Sequence, residues 1–261
     1  MSDIGCQSCQ CQTSAKYVII DYMAKRKVPL VENECYHIYS RGNSKQKIFL
    51  EEKDYEHFVK CLYLCNTRKN FRFREDVVNE KINAFDFDRG ELLVFIGAYT
   101  LMPNHFHIYI KISPMSDIGK MSRSKKKEYK NNISEFMRKL LTAYTKYFNG
   151  KYGRTGSLYE GSFKSVHIKN ENQAKYLFSY IHLNIIKLIQ KDWKENGIKN
   201  KKETLIFLSK YKWSSYNDYQ GIIRLENKIL NREAFPEYFS DVKSFDKEIF
   251  EWLSLGDKDI T

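Results

Sequence analysis

Two histidines separated by one residue, His105 and His107, lie in the run HFHIYIKI, where polar and apolar side chains alternate. A period of two marks a β-strand, so Phe106, Ile108, Ile110 and Ile112 share one face and His105, His107, Tyr109 and Lys111 share the other. The apolar set faces a core, which displays both imidazoles together on the opposite, polar face. Adjacent imidazoles on one strand face can ligate a single metal ion. Imidazole alone suits zinc, iron, copper or nickel; added oxygen ligands and a phosphate shift the expectation to the divalent ions Mg2+ or Mn2+. A third ligand is required. The helical stretch after Asn170 offers Tyr180 and Asn184, four residues apart and therefore on one helix face. Asn184 can give its amide oxygen to the metal while Tyr180 points at whatever the metal holds; Tyr176, one turn earlier, is the rival phenol.

A phenol has a reference pKa of about 10, so ionising it at pH 7 costs about 4 kcal/mol. A nearby cation can supply that, and the same cation polarises a phosphate. Exchange of a phosphodiester for a phosphotyrosine is nearly isoenergetic, so such an enzyme needs no nucleotide cofactor. Consistently, the chain has neither a Gly-rich phosphate loop nor a dinucleotide fingerprint.

The charge pattern points to a polyanionic partner. The formal net charge is +12, and the stretch 111–170 holds most of it, with 14 Lys/Arg against 4 Asp/Glu. The stretch 235–261 is acidic, with 3 Lys against 7 Asp/Glu. A concentrated positive field favours nucleic acid or an anionic surface. No apolar run is long enough to cross a bilayer, so a cytoplasmic, nucleoid-associated protein without a membrane partner is the expectation. Lys125, Lys126 and Lys127 in the basic 120–130 loop, with Arg154, are read as sequence-independent attraction to DNA. Arg41, Asn43 and Lys164 sit where strand ends meet turns and are read as phosphate contacts.

The elements that must position these residues follow from periodicity. Strands are expected at 35–41 (CYHIYSR), 91–100, 105–112 and 162–169; helices at 53–66, 133–148 and from Asn170 to about Gln190; the polar stretch 67–90 reads as an excursion. This order implies an α+β fold, a mainly antiparallel sheet with helices on one face, followed by a helical C-terminal part. His37, His167 and His182 are read as structural. Cys6, Cys9 and Cys11 have metal-like spacing but lack a partner cluster. The composition of 1–22 predicts a poorly ordered extension, with a catalytic domain over 23–190 and an extension over 191–261. The pentapeptide MSDIG at 1–5 recurs at 115–119; a two-copy match so short does not establish a repeat.

At YHIYSRGN with IFLEEKDYEHF, LMPNHFHIYIK, GSLYEGSFKS and YLFSYIHLN the chain resembles the single-tyrosine HUH transposases of small insertion sequences, in particular the REP-associated tyrosine transposase branch. The resemblance spans about Cys35 to Asn184, with a weaker echo at Trp213-Ser214-Ser215-Tyr216. It implies a ferredoxin-like or RRM-like sheet carrying the metal site on its exposed face. It also implies His105 and His107 as the metal-ligating pair, Asn184 as the third ligand, and Tyr180 as the nucleophile that becomes joined to a 5′ phosphate. The substrate implied is single-stranded, hairpin-bearing DNA, and the protein a monomer or homodimer. Relatives often carry Pro after the equivalent of Asn184; here Ile185 stands there, which allows the helix to run on.

Overall fold

The computed structural model describes residues 30–31, 33–70, 72–113, 132–237 and 242–254. The cysteine-rich amino terminus, both MSDIG copies and the 120–130 basic loop with Lys125, Lys126 and Lys127 lie outside the described residues.

The first strand, β1 (Cys35–Arg41), forms because Tyr36, Ile38 and Ser40 alternate inward with His37, Tyr39 and Arg41 on the other side. A turn leads to α1 (Glu52–Leu64), opened by a reciprocal cap in which Glu51 and Asp54 each accept the other's backbone N–H. Two strands follow as a tight hairpin, β2 (Val94–Met102) and β3 (His105–Ile112), joined through Pro103-Asn104. Then come α2 (Asn132–Lys151), β4 (Lys164–Ile168) and α3 (Glu171–Leu183). The sheet order is β2-β3-β1-β4 with every neighbouring pair antiparallel. Strand, helix, strand, strand, helix, strand in this order is the ferredoxin-like α+β arrangement.

One face of the sheet holds the main core. Ile38, Phe106, Ile108 and Ile110 pack against Phe58 and Leu62 of α1 and Phe136, Leu140 and Tyr144 of α2, all fully buried. Burial of each such side chain stabilises the fold by about 1.5–3 kcal/mol. The 67–90 stretch, expected to be an excursion, contains a π-helical turn at Arg74–Asn79 and a 3-10 turn at Ala84–Asp86. It is tied to the sheet by Asn66, whose Oδ1 accepts from the backbone of Leu93 and Val94 and whose Nδ2 donates to the Val94 carbonyl.

The opposite face departs from expectation. Rather than an open polar surface it carries a second core, because Ala98, Met102 and Tyr109 present apolar surface there. Leu177, Phe178 and Ile181 of α3 cover these residues, and Phe245 and Ile249 of α7 (Val242–Ser254), the last helix among the described residues, join them. Strand β3 is thus buried on both sides, and His107 is only 6% exposed. Between α3 and α7 run the one-turn α4 (Trp193–Asn196), α5 (Lys201–Lys210) and the one-turn α6 (Tyr216–Tyr219). Strand β2 bulges at Gly97, where an added Cβ would meet the Tyr109 and Phe235 rings at 3.0 Å. Among the described residues no helix is long and apolar enough to cross a membrane.

Candidate active site

The antiparallel register gathers the chemistry-bearing residues. Tyr39 of β1 pairs with His107 and Arg41 with His105, while Lys164 of β4 pairs with Tyr39. Directly paired residues project to the same side, so three strands deliver side chains to one patch. Helix α3 lies over it. Its start is fixed by Asn170, whose side chain accepts from the Gln173 N–H at 2.9 Å. At its other end Asn184 is the cap residue, its N–H donating to the Tyr180 carbonyl, and the chain then tightens to a 3-10 turn over Asn184–Leu188 instead of continuing as α-helix to Gln190. Tyr180 and Asn184 remain on one side across this change.

These residues line a cavity of about 530 Å³, shared by His37, His105, His107, Tyr180 and Asn184, with Arg41, Lys164 and Lys187 at its walls. The Tyr180 ring stands edge-on to His107 at 5.5 Å between centroids and to His37 at 6.3 Å. Tyr176 stacks parallel to Tyr180 at 6.4 Å and does not line the cavity.

Both imidazoles of the pair are held by their Nδ1 atoms. Asn104 Oδ1 accepts from His105 Nδ1 at 2.6 Å, and Asn104 is itself anchored by donating to the Lys45 carbonyl. That contact requires the proton on Nδ1 and leaves His105 Nε2 with a lone pair. His107 Nδ1 lies 2.8 Å from His37 Nε2; a proton on Nδ1, accepted by His37, does the same for His107. His107 Nε2 is buried with no hydrogen-bond partner, and so are both side-chain atoms of Asn184, a residue 1% exposed. Each unsatisfied buried polar atom costs about 1–3 kcal/mol.

Burial pushes all three histidines down: His37 to about 4, with Lys194 adding repulsion; His105 to about 4, with Arg41 and Lys187 adding theirs; His107 well below the ordinary imidazole value. They are neutral at pH 7, the form that binds metals. Burial raises the Tyr180 phenol, as does Tyr39, while Arg41 pulls it back. Lys194 Nζ sits 4.1 Å above the Tyr180 ring.

The donor set fits a divalent ion: two neutral imidazole nitrogens and an amide oxygen converge on one cavity, two of those atoms buried and unpartnered. Among the described residues no three His, Cys, Asp or Glu side chains form a metal-holding group. The wall cations suit a phosphate beside the ion.

Of the other residues expected to meet DNA, Asn43 is exposed and outside the cavity, its backbone N–H donating to the Leu158 carbonyl. Arg154 packs 5.6 Å over the Phe148 ring, away from the cavity. His167 bonds Glu34 at 2.9 Å and His182 is fully buried between the Phe178 carbonyl and Ser215, as their structural reading requires. His37, likewise read as structural, bonds His107 and lines the cavity. Its signal was available: it shares its strand face with Tyr39 and Arg41. Glu160, Ser162 and Lys187 also line the cavity and were passed over.

No family model matches the chain, and no curated protein matches it. Among solved structures it is similar to a REP-associated tyrosine transposase bound to a REP hairpin, with 13% identity over 84% of this chain and 93% of that one and a TM-score of 0.43. It is also similar to a bacterial tRNA(His) guanylyltransferase-like protein in complex with ATP, with 11% identity over 87% and 93% and a TM-score of 0.37. Both likenesses are remote.

Proposed function

We propose that the protein is a metal-dependent enzyme that cuts and rejoins single-stranded, hairpin-bearing DNA through a 5′-phosphotyrosine link, a transposase-like activity. The observation that carries this is the shared cavity, in which Tyr180 stands beside two Nδ1-anchored imidazoles and the unpartnered amide of Asn184, ringed by Arg41, Lys164 and Lys187. His105 and His107 through Nε2, and Asn184 through its amide oxygen, would hold Mg2+ or Mn2+. When bound, that ion supplies Lewis-acid polarisation of the phosphate and lowers the cost of ionising a neighbouring phenol.

The chain's own residues do the rest. Arg41, Lys164 and Lys187 bind the phosphodiester and orient it. Tyr180 Oη attacks phosphorus; the Tyr–O–P bond forms, the P–O3′ bond breaks, the phenolic proton passes to water and the departing 3′ oxygen takes one up. Reversal by a free 3′ hydroxyl rejoins the strand. Arg41 favours the phenolate, against the burial that raises the Tyr180 phenol.

The test is a covalent adduct, resistant to denaturant, between the protein and a labelled single strand carrying the hairpin from its own flanking DNA, with Mn2+ present. Tyr180→Phe should abolish the adduct and leave binding largely intact; an undiminished adduct removes Tyr180 from the role. Glu160 in the cavity wall favours one second reading, a hydrolase with a carboxylate base. Under it, cleavage proceeds without an adduct, survives Tyr180→Phe and fails in Glu160→Gln. DNA binding with no cleavage under any metal would mark a binding module for structured nucleic acid.

A further inference from the structure

A nucleophile must keep its reacting oxygen untethered, and the Tyr180 hydroxyl has no hydrogen-bond partner among the described residues. The aim of the phenol must then come from contacts of its ring. Two of these are edge-on, to His107 and His37. A third is of another kind. Lys194 Nζ stands 4.1 Å over the ring centroid, well inside the range of about 6 Å at which an ammonium is attracted to an aromatic face.

Lys194 belongs to α4, outside the sheet and the helix that supply the rest of the site, and several contacts hold it there. Its neighbour Trp193 is 3% exposed and joins the second core, although the indole Nε1 finds no partner. Gln190 staples the chain on either side of α4: its Nε2 donates to the Gly197 carbonyl at 2.7 Å and its Oε1 accepts from the Lys199 N–H at 3.1 Å. Asp192 accepts from Asn196 Nδ2 and pairs with Lys199, both at 2.8 Å. A helix of four residues is not stable by itself in water, so this bracing is what keeps the ammonium over the ring. The charge also reaches the imidazoles. Burial is the main cause of the lowered pKa of His37 and of His107, and Lys194 adds to both. A divalent ion on the pair meets the same repulsion, so the placement of Lys194 favours the phenol and opposes the metal.

We propose that Lys194 is a positioning residue for the nucleophile, its ammonium holding the Tyr180 ring by the face so that the phenol stays edge-on to the imidazole pair. This rests on the strand-cleaving reading of the cavity, and it gives the C-terminal part of the chain a share in that chemistry. In Lys194→Met the aliphatic stem stays and the charge goes; in Lys194→Arg a cation stays over the ring. With the full chain, adduct formation on the labelled hairpin strand is followed at saturating Mn2+ over a range of strand concentrations. Mn2+ affinity without DNA is measured by calorimetry over a salt series. Lys194→Met should slow adduct formation at saturating strand about two- to fivefold, the worth of one exposed cation–π contact. It should also bind Mn2+ about twofold or more tightly at low salt, a gain that fades as salt screens it. Lys194→Arg should match wild type in both measurements. The opposed signs separate positioning from damage to the fold, which would weaken both. The inference fails, and the strand-cleaving reading stands, if Lys194→Met reacts at the wild-type rate or if Lys194→Arg is as slow as Lys194→Met. It fails equally if the loss lies only in strand affinity, as for a phosphate contact, or if Mn2+ affinity falls with the rate. A wild type that forms no adduct overturns that reading and this inference with it.

Discussion

Under the proposed metal chemistry, removing His37, which is not among the proposed ligands, should weaken Mn2+ binding. His37 Nε2 lies 2.8 Å from His107 Nδ1, His37 half-buried and His107 buried, their rings stacked at 5.0 Å. In His37→Phe the ring volume stays and the acceptor goes. His107 then has a buried Nδ1 without a partner, so its ring gains freedom to rotate or change tautomer, and Nε2 is presented as an acceptor only part of the time. Loss of such an outer partner costs about 10–100-fold in metal affinity, or about 1.4–2.7 kcal/mol. Titration calorimetry with Mn2+ on wild type and variant reads this directly. Because the loss lies in metal binding, adduct formation should recover toward the wild-type rate once Mn2+ is saturating. A Mn2+ affinity within about a factor of two of wild type would refute the claim that His37 sets the His107 tautomer.

Asn184→Leu should be neutral or stabilising in metal-free protein, by up to about 1 kcal/mol, because both amide atoms are buried without partners; Mn2+ affinity should fall at least about tenfold. A lower melting temperature in EDTA would show that the amide is satisfied after all. Burial holds His182 at about 3, far below its unfolded value near 6.5, since it packs neutral between the Phe178 carbonyl and Ser215. Its contribution is complete above pH 6.5 and fades as pH falls from 6.5 toward 3, on the order of 2 kcal/mol by pH 4.5. Melting curves at pH 7 and 4.5 should show that drop, and a His182→Asn variant should show less of it; identical pH slopes would contradict the assignment. Asp54, with no exposed side-chain surface, accepts from Lys151, Tyr152, Tyr147 and two backbone N–H groups. Asp54→Ala should destabilise by about 3–5 kcal/mol, measured by urea denaturation, and a loss under about 1 kcal/mol would mean the cluster relaxes.

How far the sequence discloses this molecule depends on the range of each interaction. The His-x-His strand was legible because alternation is a local signal: β3 spans His105–Ile112 as its pattern requires. The phenol and amide four residues apart were legible for the same reason. The covered face was not, because the apolar residues that roof it come from α3 and α7, and no local period shows that Phe178 will meet Phe245. The contact of His37 with His107 was not legible either, since the two lie 70 residues apart. Glu160 and Ser162 lie on bends ahead of β4, the strand expected from 162 beginning only at Lys164, so their shared cavity appears only in three dimensions.

The helix that carries Tyr180 is braced from behind by residues made much later. Phe178 and His182 rest on Tyr219 and Phe245, and His182 on Ser215. On the ribosome, at about 5–20 residues per second, the strands with their histidines are made seconds before that brace. A nascent chain thus carries the two imidazoles before the helix of Tyr180 is braced. Under the proposed chemistry, the order of synthesis itself delays a strand-cutting protein from acting until its last helix has docked.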